Sequence, residues 1–188
     1  MAVRNGAVGK TIAAIGAAAL LGLAGPASAE LPVGSAAPQI AAKGALAGKE
    51  FSFNLARALK KGPVVLYFFP KAFTPGCNAE ANAFAQSIDD FRKAGAQVVG
   101  LSADNLEELK KFSVKECAGK FGVATASAAT IRAYDVAFVR EGKDTGLSNR
   151  TSYVIGRDGK IKLAHSELDW REHVKLTLAK VQQLKAAR

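Results

Sequence analysis

Val64-Val65-Leu66-Tyr67-Phe68-Phe69, followed by Pro70-Lys71-Ala72-Phe73-Thr74-Pro75-Gly76-Cys77, decides the fold. The apolar run between Pro63 and Pro70 reads as a buried strand. The residues after it, Asn78-Ala79-Glu80-Ala81-Asn82-Ala83-Phe84-Ala85-Gln86, read as a helix. Phe84, Ile88 and Phe91 recur at spacings of four and three, which carries that helix to Lys93. Thr74 suits the N-cap and Pro75 the first helical position, so Cys77 falls in the first turn. A sulfur there meets unpaired backbone N–H groups and the positive end of the helix dipole, and both favour a thiolate. Thiols in such places reach pKa values of roughly 3.5–7.5, against about 8.5 for free cysteine. A buried, inert cysteine is the plainer alternative, and the helix start argues against it.

The rest of the chain alternates around this unit. Gly95 ends the helix and Ala96 to Ser102 forms the next strand. Asp104 or Asn105 caps a helix running to about Ala118, with Leu106, Leu109 and Phe112 on its apolar face. Strand, helix, strand implies parallel pairing. Upstream, Leu31 to Gly48 reads as an arm with one short strand. Glu50 to Phe53 reads as another strand, and Asn54 to Lys60 as a helical turn or two. A short helix follows over Ala128 to Tyr134. Later the pattern changes: Thr151 to Ile155 and Ile161 to His165 flank Arg157-Asp158-Gly159-Lys160, whose Asp-Gly turn predicts an antiparallel hairpin. Trp170 to Ala187 is a terminal helix. A parallel βαβ half followed by a ββα half is the α/β thioredoxin-like arrangement, a mixed central sheet with helices on both faces.

Residues 1–29 have the form of a secretory signal peptide. Arg4 and Lys10 supply the positive start, Thr11 to Ala24 the apolar stretch, and Ala27-Ser28-Ala29 the cleavage site after Pro26. The stretch is short against the roughly 20 residues of a membrane span, which makes an uncleaved anchor the lesser reading. There is no Arg-Arg pair for the twin-arginine route and no cysteine after the cleavage site for a lipoprotein. The expected product is therefore periplasmic or secreted, without a membrane span. Residues 30–188 suit one domain, large enough to bury about two-thirds of its unfolded surface. The formal charge of +10 falls to +8 when Arg4 and Lys10 are removed. The remaining basic residues are scattered, as at Lys60-Lys61 and Lys110-Lys111, with no aromatic interleaving. They read as a solvated surface and exclude nucleic acid as a partner.

Pro70, Thr74 and Cys77, spaced Pro-x-x-x-Thr-x-x-Cys after an apolar strand, resemble the peroxiredoxin active-site motif. The fuller wording, Tyr67-Phe68-Phe69-Pro70 with Thr74-Pro75-Gly76-Cys77-Asn78-Ala79-Glu80, is similar to the peroxiredoxin Q, or bacterioferritin-comigratory-protein, branch of the alkyl hydroperoxide reductase/thiol-specific antioxidant family. Asn149-Arg150 before the strand Thr151 to Ile155 matches the place where that family carries its active-site arginine. The resemblance covers most of residues 33–188. It implies a thiol-dependent peroxidase acting on hydrogen peroxide and organic hydroperoxides without a cofactor. Cys77 would be the nucleophile, oxidised to sulfenic acid. The Thr74 hydroxyl would contact the peroxide or the sulfur. Arg150 would hold the thiolate and stabilise charge growing on the oxygens. Backbone N–H groups at Gly76 and Cys77 would assist. Pro70 would form an apolar wall, and Glu80 would orient Arg150. Read singly, Thr74 could be only a cap, Pro70 only a strand end and Arg150 only a surface charge.

The second cysteine, Cys117, is where the sequence departs from the commonest pattern. Many members place a resolving cysteine five positions after the nucleophile, where this chain has Asn82. The two-cysteine class with a C-terminal resolver is not matched by Lys185-Ala186-Ala187-Arg188. A subset of the branch carries the resolver near the end of the next helix, which implies a Cys77–Cys117 disulfide. The alternative is a structural Cys117 and a one-cysteine cycle closed by an outside thiol. The implied reductant is a thioredoxin-like or other dithiol protein, and the implied state a monomer or weak homodimer. Two other functions stay open: a secreted disulfide exchanger, which would want Cys-x-x-Cys, and a non-catalytic binding module. His165 and His173, with no clustered third ligand, read as surface or packing residues rather than a metal site.

Overall fold

The computed structural model describes residues 1–2 and 30–187. The signal peptide expected over residues 1–29 thus lies, but for its first two residues, outside the described part. The central strand is β3 (Val64–Phe68), placed where the apolar run predicts it. It belongs to a seven-stranded sheet ordered β2-β1-β5-β4-β3-β8-β9. These are β1 (Ala41–Leu46), β2 (Lys49–Asn54), β4 (Gln97–Ser102), β5 (Gly122–Thr125), β8 (Thr151–Ile155) and β9 (Ile161–Ser166). β3, β4 and β5 run parallel, and β1, β2, β8 and β9 pair antiparallel, so the sheet is mixed as expected.

The alternation of side chains along β3 feeds two cores. Val65, Tyr67 and Phe69 face α2 (Pro75–Lys93), α3 (Leu106–Lys115) and α5 (Arg171–Ala186). Val64, Leu66 and Phe68 face α1 (Leu55–Leu59) and α4 (Ala128–Ala133). Every residue of β3 is fully buried, which explains an unbroken apolar run instead of alternation. Tyr67 stacks on Phe84 of α2 with ring centroids 4.5 Å apart, and this fixes α2 over the strand. Opposite Tyr67 in the parallel register lies Gly100, where a Cβ would stand 2.7 Å from the phenol ring. Only glycine leaves Tyr67 its place.

Several elements differ from the sequence reading. β5 is a four-residue strand that was not expected. Neither was the exposed hairpin of β6 (Ala137–Arg140) and β7 (Lys143–Ser148), which turns at Glu141 and Gly142, both with positive φ. α3 stops at Lys115, short of Ala118. Ala118 and Gly119 adopt left-handed backbone, and Gly119 N–H closes the helix onto Ser113 O at 2.9 Å. The α3 cap is Asn105, whose side chain accepts from Glu108 N–H at 3.0 Å; Asp104 points elsewhere. α5 begins at Arg171, with Trp170 just before it.

Candidate active site

β3 delivers the chain to the carboxyl end of the sheet. There Phe69 O accepts from the buried Ser148 hydroxyl at 2.8 Å, and the half-buried Pro70 follows. The loop turns through Phe73, which takes a left-handed φ of 64° and lays its ring edge-on to Phe112 of α3. Thr74 then takes the extended backbone of an N-cap and Pro75 the first helical position, as predicted. One detail is corrected. The Thr74 hydroxyl makes no bond to the helix N–H groups; it donates to Lys71 O at 2.9 Å. Cys77 falls in the first turn of α2 and is 1% exposed.

The antiparallel register pairs Phe68 with Thr151, so Arg150 arrives beside the start of α2. Its guanidinium is held on three sides. Nε donates to Leu168 O at 2.8 Å, Nη1 to Glu80 Oε2, and Nη2 reaches Cys77 Sγ at 3.5 Å. Glu80 follows Cys77 by three positions on α2, so carboxyl and thiol share a helix face. Gly76 leaves room for this approach, since a Cβ there would lie 3.2 Å from Arg150 Nη2. The fork geometry of arginine serves all three contacts at once; a lysine ammonium could not.

Behind Glu80 lies a residue whose role the sequence reading missed. His173 of α5 is fully buried, the packing alternative of the two that the sequence leaves. Its Nε2 lies 2.9 Å from Glu167 O, a pure acceptor, so that nitrogen carries the proton. Nδ1 then accepts from the Ser152 hydroxyl at 2.8 Å. Nδ1 also stands 3.8 Å from Glu80 Oε1, which has no hydrogen-bond partner. Burial pushes the Glu80 carboxyl up to about 8 against the pull of Arg150. Burial pulls His173 down to about 4, which keeps the imidazole neutral near pH 7. Only the approach of α5 to β8 reveals this arrangement; no local motif around His173 announces it.

Cys117 lies just beyond α3, fully buried in the same core cluster as Cys77. Both thiols are free. Burial first, then the neighbouring Glu116, drives the Cys117 thiol well above its ordinary range. Arg150 thus touches both Cys77 and Glu80, Thr74 and Pro70 lie on the loop leading to them, and Cys117 shares the core of Cys77 without a bridge. Among the described residues no group of three His, Cys, Asp or Glu side chains could hold a metal ion. Among them, too, no helix is long and apolar enough to cross a membrane.

The chain is similar to known proteins in sequence and in fold. The profile of the AhpC/TSA family matches residues 33–164. The chain is 33% identical over 135 residues to the chloroplastic peroxiredoxin Q of Sedum lineare, covering 67% of either chain. It is 31% identical over 112 residues to peroxiredoxin Bcp of Escherichia coli, covering 58% of this chain and 72% of that one. The crystal structure of peroxidoxin BcpB from Mycobacterium tuberculosis superposes with a TM-score of 0.71 at 26% identity, over 81% of this chain and 97% of the other.

Proposed function

Since the chain belongs to the AhpC/TSA family of thiol peroxidases, we propose that Cys77 is its peroxide-reducing thiol. The observation that carries this reading is the Arg150 Nη2 contact to Cys77 Sγ at 3.5 Å, held from behind by Glu80. The Cys77 thiolate attacks the terminal oxygen of hydrogen peroxide or an organic hydroperoxide. An S–O bond forms as the O–O bond breaks. Cys77 becomes sulfenic acid, and the electron pair leaves on the second oxygen, which takes a proton to give water or an alcohol. Arg150 faces the charge that grows on the oxygens in that step.

The proposed cycle then closes through Cys117. Its thiol condenses with the sulfenic acid, water leaves, and a Cys77–Cys117 disulfide forms. A thioredoxin-like dithiol then reduces that bond and restores both thiols. The chain would act as a monomer or weak homodimer. Cys117 sits in the core that Cys77 faces, which supports this pairing. Its complete burial favours the rival one-cysteine cycle. Mass analysis after one equivalent of peroxide separates the two: loss of two hydrogens with Cys77 linked to Cys117, or a sulfenic or sulfinic Cys77 with Cys117 free. A disulfide exchanger is disfavoured because Cys77 is followed by Asn78-Ala79-Glu80 with no partner thiol. Insulin reduction without peroxide consumption would revive it.

The reaction is placed in the periplasm or outside the cell, on the strength of Arg4, Lys10, the apolar stretch and Ala27-Ser28-Ala29. Amino-terminal sequencing of the exported protein should begin at Glu30.

A further inference from the structure

We propose that Asp104 is a positioning residue for the peroxide reaction: its carboxylate holds the Lys71–Ala72 segment and thereby sets the loop that carries Thr74 into the Cys77 helix. The proposal rests on the peroxidase reading above. Asp104 stands just after β4, and its side chain is only 3% exposed. Oδ2 accepts the Ala72 N–H at 2.7 Å and the Ser102 hydroxyl at 2.9 Å, and Oδ1 meets Lys71 Nζ at 3.2 Å. Its main chain is fixed as well, since the Thr125 hydroxyl donates to Asp104 O at 3.1 Å. The carboxylate is therefore a rigid post on the ends of β4 and β5, and the loop from β3 is tied to it.

What the post holds is a conformation that the loop would not keep alone. Phe73, next after Ala72, is a bulky residue in left-handed backbone, which costs energy unless the surroundings over-determine it. The Thr74 hydroxyl is fixed by its bond to Lys71 O, the carbonyl of the same tethered residue. Ala72 is itself buried, so without Asp104 its N–H loses its partner and Phe73 gains a route to relax. Of the two anchored groups, the Ala72 amide matters more: Lys71 is 52% exposed and its ion pair is screened by water. Asp104 touches neither Cys77 nor Arg150 among its hydrogen-bond partners. Its loss should therefore disturb the geometry of peroxide attack and leave the sulfur's own nucleophilicity in place.

The test compares two reactions of the same thiol. Hydrogen peroxide needs the assembled loop, whereas iodoacetamide reacts with the thiolate it reaches and uses none of the loop's donors. Wild type, Asp104→Ala and Asp104→Asn are assayed by stopped flow with each reagent, after circular dichroism confirms folding. Asp104→Ala should lower the peroxide rate constant about 100-fold, the size expected of an ångström-scale misplacement, without slowing alkylation. Asp104→Asn keeps an oxygen for the Ala72 N–H and should recover part of the loss. A peroxide rate unchanged in folded Asp104→Ala, both reactions slowed alike, or an Asp104→Asn no faster than Asp104→Ala overturns the role of Asp104. If Asp104→Ala does not fold, Asp104→Leu, which fills the site but offers Ala72 N–H no acceptor, decides by the same ratio. A wild type no faster than free cysteine with peroxide would instead defeat the peroxidase reading and take this role with it.

Discussion

Asn82 Nδ2 donates to Glu116 Oε2 at 3.0 Å, so the helix that carries Cys77 is fastened to the residue next to Cys117. Two more contacts join the same pieces: Lys120 Nζ to Ala85 O at 3.1 Å and Arg92 Nη2 to Lys120 O at 2.8 Å. A disulfide needs Cα atoms within about 7 Å and Cβ vectors that face each other. Both sulfurs are buried, so the proposed bridge would need the start of α2 to loosen before they join.

Weakening that fastening should speed resolution. Asn82→Ala removes this bond together with the one from Nδ2 to Asn78 O at 2.9 Å within the helix; loss of the tie to Glu116, worth about 0.5–1.5 kcal/mol, should raise the rate of disulfide formation by roughly threefold to tenfold. The rate of the preceding peroxide step should not change. Rapid-quench mass analysis after a single equivalent of peroxide resolves the two steps. Unchanged or slower disulfide formation would show that Asn82 does not restrain the transition.

Arg150→Lys keeps the charge and loses the fork. A lysine cannot hold Glu80, Leu168 O and Cys77 together as Arg150 does. The peroxide rate constant should fall by about 10²–10³, the usual effect of losing one preorganised donor at a developing oxyanion. Competition for peroxide against a reference peroxidase measures it. Retention of wild-type rate would remove Arg150 from the reaction.

Glu80 should leave a mark on pH dependence. Its folded pKa of about 8 lies above the unfolded 4.5. The folded chain therefore keeps a proton that the unfolded chain has released. The stability this group confers is complete below pH 4.5 and is lost as pH rises through about 8. Urea denaturation of wild type and Glu80→Gln across that window should show wild type losing stability relative to the variant. Above about 8 the new carboxylate charge also competes with the sulfur for Arg150. The peroxide rate of wild type should then fall relative to Glu80→Gln. Parallel profiles would place the Glu80 titration elsewhere.

Gly100→Ala tests the packing of the central strand. The added Cβ would meet the Tyr67 ring at 2.7 Å, and Tyr67 is fully buried and stacked on Phe84. Overpacking of this kind costs about 1–3 kcal/mol. A lower midpoint in urea with an unchanged slope should register it. A variant as stable as wild type would mean that Tyr67 has another place to go.

Much of this was legible because strong local signals agree with the tertiary outcome. β3 is apolar at every position because both its faces are buried. Pro75 marked the helix start, and Asp158-Gly159 marked the hairpin that brings Arg150 home. β5 has four residues and no bounding turn signal of its own. β6 and β7 are largely exposed and show no two-residue alternation. In the sequence Asp104 reads as a helix cap. Asn105 took that place, which freed Asp104 to bind the loop after β3. His173 shows nothing in its neighbourhood to distinguish it from a surface histidine; its burial comes from α5 packing against β8.

The most direct test is stopped-flow oxidation of reduced wild type and Cys77→Ser by hydrogen peroxide, with mass mapping of the modified residue. The account predicts loss of the Cys77 thiol at a rate orders of magnitude above that of free cysteine. It predicts no comparable reaction in Cys77→Ser, although Cys117 remains. Equal reactivity of the two proteins, or a wild type no faster than free cysteine at the same pH, would contradict it.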